Sequence, residues 1–332
     1  MRLRITIAYN EPEKGRYHAL GEALAEEDVL EAVKAVNAAL LELGHDVELL
    51  PLQPPLREAA RKIKAIKSQL TFNLFEGFGN KPESEGAVAS LIEKTGICYT
   101  GCPSSAIALA QNKPGAIAFL MKSGIPVPEC QVIAPRNISQ FCLSFPCIVK
   151  PVGEHASHGL TADSVVSDMA SLERQVERVS AHYGGEAFVQ EFLSGREFNA
   201  AVLGNRELTV LNPSEIVYTL PPDMPKILTF VAKWQEDTVY FKGTRAVCPA
   251  PIPAEYRESI KALVKRVYVL FGCRGYARVD MREDREGHLK VIDVNPNPDI
   301  SPGTGAFLQA YAAGMTYNEF IEKIVNLALE RG

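Results

Sequence analysis

The chain has 332 residues, of which 46% are hydrophobic and 23% are charged, and its formal net charge is −5. A chain of this length can bury sizeable cores and should divide into two or three domains, so a single small domain is excluded. The mixed distribution of Lys and Arg leaves no broad basic surface, which argues against nucleic acid as a main partner.

Seven cysteines are scattered along the chain without a paired CxxC arrangement. This usage is typical of reduced core thiols in a cytoplasmic protein. The first ten residues alternate like a β-strand, with no signal-peptide pattern, and no apolar stretch reaches transmembrane length. We therefore expect a cytoplasmic protein without a membrane partner.

The N-terminal part of the sequence predicts an α/β unit of Rossmann-like outline. The predicted strands are 3–9, 46–50 and 70–75, the first helix is 26–43, and a short strand ending in a Gly turn, 96–101, precedes helices 104–109 and 114–122. A smaller α+β layer follows, with strands 147–150 and 187–191 and a helix over 167–182. The remainder predicts a hairpin of 199–203 and 207–211, a helix over 254–271, two acidic strands and a closing helix over 317–329.

The two acidic strands, within 275–280 and 289–298, end in polar groups. Asp293 and Asn295 are two residues apart on one strand, so their side chains share a face, and Asp280 can join them from a neighbouring strand. Oxygen ligands of this kind suit Mg²⁺. The alternative is that the acids only decorate the ends of an exposed hairpin, but the nearby Arg278 favours a metal and phosphate site.

Lys150 closes an apolar strand and precedes a Gly-containing loop, 151–159. Small residues let backbone N–H groups approach an anion while a Lys supplies a point charge, which favours phosphate binding; the alternative is a solvated Lys beside an ordinary loop. His155 and His158 in this loop could contact phosphate or substrate, but as exposed loop residues they are interpreted as uncommitted. The segment 188–198 suits backbone bonds to an adenine and a carboxylate near ribose hydroxyls.

Taken in order, these motifs resemble the ATP-grasp superfamily, and specifically the D-alanine–D-alanine ligase family, through nearly the whole chain. The segments that carry the resemblance are 72–77, 99–101, 111–113, 148–151, 154–159, 190–198, 232–234, 248–250, 275–280 and 293–298. The resemblance implies an α/β and α+β architecture with the ATP-grasp fold. It places a Rossmann-like domain at 1–112, a small central domain at 113–195 and a C-terminal domain at 196–332.

The resemblance also implies roles for individual residues. Lys113 and Lys150 would hold the ATP phosphates under a loop with Glu154 and Ser157; Gln190, Glu191 and Leu193 would meet the adenine, and Glu197 the ribose. Lys233 would touch the transferred phosphate, Arg278 would face the reacting carbonyl, and Glu26 would bind a substrate amino group. Asp280, Asp293 and Asn295 would bind two Mg²⁺ ions, with Mn²⁺ as a substitute.

Four substrate-side residues depart from the family pattern: Glu76, Ala156, Trp234 and Asp299. Ser301 and Thr304 complete the expected substrate set. The two extra carboxylates would suit a cationic or carboxylate-poor acceptor better than D-alanine. The alternative is that Glu76 and Asp299 turn to solvent or cap loops, and that Trp234 only packs the lid.

The implied activity is an ATP-dependent carboxylate–amine ligase that forms an amide between two amino acids through an acyl phosphate, in the setting of peptidoglycan synthesis. One alternative is a ligase for a different amino acid or amine pair; another is an ATP-binding protein without ligation. The relatives lead us to expect a homodimer acting on small molecules.

Overall fold

The computed structural model describes residues 2–12, 16–79, 81–154 and 156–330, without the side chains of Arg16, Ala25 and Glu26. Three sheets organise these residues. The first is parallel, with strand order β2-β1-β3-β4. Its strands are β1 (Arg4–Asn10), β2 (Asp46–Leu52), β3 (Leu70–Leu74) and β4 (Cys98–Tyr99). Every residue of β3 is buried, as expected for a strand covered on both faces.

The second and third sheets are antiparallel. The central sheet has the order β5-β8-β6-β7, with β5 (Cys130–Ile133), β6 (Cys147–Pro151), β7 (Val165–Val166) and β8 (Ala187–Glu191). The C-terminal sheet has the order β12-β11-β9-β13-β14, with β10 also paired to β9. Its strands are β9 (Glu197–Gly204), β10 (Leu208–Val210), β11 (Ser214–Tyr218), β12 (Thr244–Val247), β13 (Gly275–Glu283) and β14 (Leu289–Asn295).

Helices cover the sheets. They are α1 (Arg16–Leu20), α2 (Leu24–Glu42), α3 (Leu56–Lys64), α4 (Ser84–Glu93), α5 (Ser104–Gln111), α6 (Lys113–Lys122), α7 (Met169–Tyr183), α8 (Phe230–Trp234), α9 (Val239–Lys242), α10 (Ala254–Leu270), α11 (Gly305–Ala312) and α12 (Tyr317–Leu329). Short 3₁₀ turns occupy Pro135–Gln140 and Ala162–Ser164. None of the helices in the described residues has the length and apolar run that crossing a membrane needs.

The packing places the sheets around one cleft. One face of the C-terminal sheet shares a core with α5, α6 and α10, and its other face packs with α12 and the N-terminal sheet. The central sheet packs against α7. Ile148 of β6 instead packs with Ile227, Ala232 and Tyr240. Residues 227–242, which contain α8 and α9 and are called the α8 segment below, therefore lie on the opposite face of the central sheet. The central sheet, the C-terminal sheet and the α8 segment thereby enclose the cleft.

The predicted elements are largely present, with ends shifted by one to three residues. The parallel N-terminal sheet confirms the Rossmann-like prediction, and the closing helix has the predicted bounds. A capping box sets its start, where Thr316 accepts from the Glu319 backbone N–H and the Glu319 carboxylate accepts from the Thr316 N–H. The strands β5, β7, β11 and β12 were not predicted, since they are short and lack a clear alternation.

Candidate active site

A cleft of about 990 Å³, including its solvent-open part, lies between the central and C-terminal sheets. Predicted residues from six separate segments line it: Lys113, Lys150, Glu154, Ser157, Gln190, Glu191, Leu193, Glu197, Lys233, Arg278, Asp280, Asp293 and Asn295. The fold therefore gathers these predicted residues in one place.

The polar floor of the cleft is a ladder between β13 and β14. Arg278 lies opposite Asn295 and Asp280 lies opposite Asp293, so all four side chains share one face of the sheet. The Arg278 guanidinium donates two bonds to the Asp280 carboxylate, 2.7 and 2.9 Å long. The Asn295 amide donates a third, 3.0 Å long, to the same carboxylate. Three carboxylate or amide side chains thus converge beside one guanidinium.

Charge around Arg278 outweighs its desolvation. Burial alone would lower the pKa of Arg278, but Asp280, Asp293 and Asp299 together raise it above the usual value. A permanently charged, planar donor therefore stands at the floor of the cleft. Because the oxygen-rich donor set of Asp280, Asp293 and Asn295 lacks His and Cys, its chemistry fits Mg²⁺ rather than zinc.

Two lysines lie on the wall facing this floor. The Lys150 ammonium donates to Gln190 Oε1 at 3.0 Å, and the Lys113 ammonium donates to the Glu154 carbonyl oxygen. Burial lowers the pKa of both lysines, and the carboxylate of Asp293 partly offsets the effect. Within the described residues neither ammonium forms an ion pair with a carboxylate. Such buried cations are costly unless an anion compensates them, which a phosphate chain would do.

On β8, the side-chain amide of Gln190 also lacks a partner for one of its polar atoms. Gln190 Nε2 is buried and has no hydrogen-bond partner among the described residues. A buried donor left unpaired costs about 1–3 kcal/mol, so an acceptor on a ligand fits this position. The lysines and Gln190 together are compatible with a nucleotide, with phosphates at one end and a base at the other.

Two predicted nucleotide-binding carboxylates already have protein partners. The Glu191 carboxylate accepts from Lys290 at 2.9 Å, and the Glu191 backbone N–H donates to the Glu129 carbonyl oxygen at 2.8 Å. The Glu197 carboxylate accepts from Arg282 at 3.0 Å and from the Tyr218 hydroxyl at 2.7 Å. Leu193 is buried at the cleft wall. Arg282 was not among the predicted site residues. It lies four residues after Arg278 on β13, so the two side chains share a face of the strand, and this spacing could have indicated it.

The α8 segment brings Lys233 over the floor. Burial and the neighbouring Arg278 lower the pKa of Lys233, whereas Asp280, Asp293 and Asp299 oppose this. The indole Nε1 of the adjacent Trp234 is buried without a hydrogen-bond acceptor in the described part of the chain. Its ring lies 6.2 Å from that of Phe230 at the start of α8. Trp234 therefore packs against Phe230 within the α8 segment, and its indole N–H forms no hydrogen bond to the described residues.

A group of carboxylates interacts electrostatically with Lys233 from outside the residues that line the cleft. Glu76, two residues after β3, is open to solvent on one side but surrounded by protein; burial, with Asp299 and Glu85, raises its pKa well above the ordinary value. Burial and the charges of Asp299 and Glu31 raise the pKa of Asp28 to about 6, against the pull of Lys233. The carboxylates therefore share one electrostatic environment.

The predicted substrate residues Asp299, Ser301 and Thr304 differ in whether their side chains are already hydrogen-bonded within the loop. The Asp299 carboxylate accepts from the Ser301 backbone N–H at 2.8 Å, as a local cap. The Thr304 hydroxyl donates to the Ser301 carbonyl oxygen at 2.8 Å, so it is engaged within the loop. Ser301 Oγ is buried without a partner among the described residues.

The remaining sequence expectations concern the N-terminal segment and the loop histidines. The side chain of Glu26, the predicted amine ligand on α2, and the residue His155 lie outside what the structure describes. Asp28, two residues after Glu26, is an acid that interacts electrostatically with Lys233 and was not among the predicted site residues. The interpretation of His158 as an exposed, uncommitted residue is wrong, because it is 7% exposed and bonded to Glu22.

The chain is similar to known ligases in sequence and in fold. A family model described as "D-ala D-ala ligase C-terminus" matches residues 119–326. A D-alanine–D-alanine ligase from Desulforudis audaxviator is 31% identical over 320 residues, covering 94% of this chain and 97% of that protein. The crystal structure of D-alanine–D-alanine ligase from Bacillus anthracis complexed with ATP superposes with a TM-score of 0.75 at 19% identity, covering 98% and 97% of the two chains. The VanG D-Ala:D-Ser ligase from Enterococcus faecalis gives 0.75 at 20% identity, covering 99% and 100%.

These findings, with the three sheets and the cleft between them, define an ATP-grasp protein that acts as an ATP-dependent, amide-forming ligase. More particularly, the chain belongs to the D-alanine–D-alanine ligase family. The predicted fold class and the predicted family are confirmed.

Proposed function

We propose that this ligase activates the carboxylate of one amino acid with ATP and joins it to the amino group of a second amino acid or small amine. A carboxylate oxygen attacks the γ-phosphorus, ADP leaves and an acyl phosphate forms. The amine nitrogen then attacks the acyl carbon and loses a proton, and inorganic phosphate leaves with both electrons of its bond to carbon. The observation that carries the proposal is the ladder of Arg278, Asp280, Asp293 and Asn295 facing Lys113 and Lys150.

Each group has a defined task in this reaction. Lys113 and Lys150 hold the ATP phosphates beneath the loop with Glu154 and Ser157, and Lys233 contacts the transferred phosphoryl group. Gln190, Glu191 and Leu193 receive the base and Glu197 the ribose. Arg278 stabilises the oxyanion that develops when the amine attacks, and Glu26 binds a substrate amino group. Losing one such oxyanion donor costs about 10²- to 10³-fold in turnover.

Asp280, Asp293 and Asn295 would hold Mg²⁺. We assign two ions, with Mn²⁺ as a substitute, because the charge on the phosphate oxygens must be compensated during phosphoryl transfer. The protein itself orients the oxygen atoms that would bind the metal, because hydrogen bonds from Arg278 and Asn295 hold the Asp280 carboxylate in place.

For both substrates, the specificity is proposed to differ from D-alanine or to be broader. Glu76, Asp299 and Asp28 interact electrostatically with one another beside Lys233, and the raised pKa values of Glu76 and Asp28 express their mutual repulsion as well as burial. A substrate with an additional positive charge, or without a carboxylate, would relieve this repulsion. Trp234, Ser301 and Thr304 complete the substrate region. A role in peptidoglycan synthesis would require this enzyme to use D-alanine as its substrate.

Three further assignments accompany the proposal. The chain is proposed to divide into domains at 1–112, 113–195 and 196–332. The separation of the strands into three sheets supports this division, whereas α6 packs in the core of the C-terminal sheet. The protein works in the cytoplasm as a homodimer. Size-exclusion chromatography with light scattering measures the molar mass of the protein and so tests the dimer.

The test of the reaction is phosphate release from MgATP against a panel of D- and L-amino acids and small amines, with mass spectrometry of the products. An amide product formed with one phosphate released supports the proposal. The absence of an amide with every pair would contradict it and favour ATP binding without ligation. A clean preference for D-alanine at both positions would overturn the substrate assignment alone.

A further inference from the structure

An acidic side chain from the N-terminal segment bonds to the cleft loop, defined here as residues 156–161, ahead of the Ala162–Ser164 turn. Glu22 is 8% exposed, and its carboxylate accepts three hydrogen bonds from the central domain region. The donors are the Gly159 backbone N–H at 3.0 Å, His158 Nδ1 at 2.9 Å and the Tyr183 hydroxyl at 2.9 Å. Glu22 and its three donors form the Glu22 clasp.

The clasp is electrostatically consistent with an ionised carboxylate. Burial alone would raise the pKa of Glu22, but the bonds from His158, Gly159 and Tyr183 hold it below the usual value. A carboxylate with three donors is a strong acceptor, and hydrogen bonds to charged groups exceed neutral ones in strength. Because the carboxylate accepts at His158 Nδ1, that ring nitrogen carries the proton.

Tight packing fixes the loop where Glu22 holds it. Gly159 has φ +76°, and a side-chain carbon there would lie 2.8 Å from Pro151 Cγ and 3.0 Å from Tyr183 Cε2. Ala156 and Ser157, which line the cleft, also have positive φ values of 52° and 63°. Non-glycine residues in this region are strained and persist when surrounding contacts hold them. The Glu22 clasp supplies contacts of that kind at the end of the loop.

The clasp also reaches the α8 segment. His158 stacks on Tyr17 of α1, with ring centroids 4.0 Å apart, and on Phe230, with centroids 5.5 Å apart. The Phe230 backbone N–H donates to the Leu160 carbonyl oxygen. Tyr17 in turn donates to the Glu154 carboxylate. Three segments distant in sequence, around residues 17–22, 156–160 and 229–234, are thereby joined over the cleft that contains Lys150 and Lys233.

We infer that Glu22 is a positioning residue that holds the cleft loop and the α8 segment closed over the nucleotide. The inference rests on the proposed function for its catalytic consequence: a closed loop keeps water from the acyl phosphate. If the loop opens, water attacks the acyl carbon, phosphate leaves and the substrate carboxylate is regenerated without an amide. Nucleotide retention and coupling of ATP use to amide formation should therefore both depend on Glu22.

The test compares Glu22→Ala with Glu93→Ala. Glu93 is a matched control, because its carboxylate also accepts three bonds, from the Tyr99 hydroxyl and from the Ser104 N–H and hydroxyl, away from the cleft. The measurements are the Kd for MgATP, hydrogen exchange at the Gly159 amide, and the ratio of phosphate released to amide formed. We expect Glu22→Ala to raise the Kd about tenfold, equivalent to about 1.4 kcal/mol. It should also speed Gly159 exchange and raise the phosphate-to-amide ratio above one, whereas Glu93→Ala changes none of the three.

A second variant keeps the inference falsifiable if Glu22→Ala does not fold. His158→Phe preserves an aromatic stack with Tyr17 and Phe230 but removes the bond to Glu22, and we expect changes in the same direction. Wild-type Kd and Gly159 exchange in a folded Glu22→Ala protein, or in His158→Phe if only that variant folds, would overturn the inference. If the wild-type enzyme forms no amide from any pair, the proposed reaction fails, while the Kd and exchange data still decide the role of Glu22.

Discussion

Arg278 and Asp280 lie two residues apart on β13 and form a two-pronged hydrogen-bonded pair, with bonds of 2.7 and 2.9 Å. The pair occupies the floor of the cleft, where Asn295 completes it from the opposite strand. A guanidinium is therefore held in a fixed orientation by its own strand neighbour. This arrangement allows the charge and the geometry of Arg278 to be tested separately.

We predict that Arg278→Lys retains ATP binding but loses about 10²- to 10³-fold in amide formation, because an ammonium cannot reproduce the fixed planar donors. Amide formation and the Kd for MgATP should be measured on the same preparation. Arg282→Lys is unsuitable as a control because Arg282 bonds to Glu197. Arg245→Lys, on the exposed strand β12, is suitable. Wild-type turnover in Arg278→Lys would remove Arg278 from the reaction.

Lys150→Met should weaken MgATP binding and leave the fold intact or more stable. The ammonium contacts Gln190 but no carboxylate among the described residues, so its removal relieves a desolvation cost. The expected rise in the melting temperature and the loss of ATP affinity can both be read by thermal unfolding with and without MgATP. Lys62→Met is the control, since Lys62 also donates a single bond, to the Pro51 carbonyl, far from the cleft. A Lys150→Met protein with wild-type ATP affinity would contradict the phosphate role.

Asp28→Asn should stabilise the protein at neutral pH. The pKa of Asp28 is about 6 in the folded protein against an ordinary value of 3.8, so the folded state binds the proton more tightly than the unfolded state. Stability is therefore lost as the pH rises from about 4 to about 6, and the penalty is complete above that range. Its removal should add on the order of 1–2 kcal/mol to the free energy of unfolding near pH 7 and almost nothing near pH 4, after allowance for solvent screening. Urea unfolding at the two pH values measures this, with Asp223→Asn, an exposed acid, as control; a loss of stability at pH 7 would refute it.

Asp299→Asn should shift acceptor preference away from cations. The amide oxygen can still cap the Ser301 N–H, so the loop is preserved while one negative charge is removed. The KM for a cationic acceptor should rise about tenfold, equivalent to about 1.4 kcal/mol of lost attraction, with the KM for ATP unchanged. Steady-state kinetics with a cationic and a neutral acceptor make the comparison, and Glu286→Gln in the exposed β13–β14 turn is the control. Equal effects on both acceptors would argue against a cation subsite.

The floor of the cleft could be predicted from the sequence because it depends on local periodicity. Asp293 and Asn295 share a face by their spacing, and pairing of the two acidic strands brings in Asp280 and Arg278. The Glu22 clasp could not be predicted in this way. Its partners lie 136 or more residues away, and they meet only when the N-terminal segment packs over the central sheet.

Local patterns also explain the errors in the sequence analysis. His158 was interpreted as exposed because it lies in a Gly-containing loop, yet stacking between Tyr17 and Phe230 buries it. Asp28 was not among the predicted site residues, because burial and the charge of Asp299 from a distant loop determine its environment. In both cases tertiary contacts decide the environment, and the sequence gives no local sign of them.

Trp234 is the only tryptophan in the chain. Its indole N–H is buried without an acceptor among the described residues, on the short helix that carries Lys233 over the cleft. Intrinsic tryptophan fluorescence of the protein therefore originates from a single position on the α8 segment. An emission maximum that moves to longer wavelength when this helix lifts into water would allow stopped-flow experiments to follow opening and closing in real time, without any attached dye.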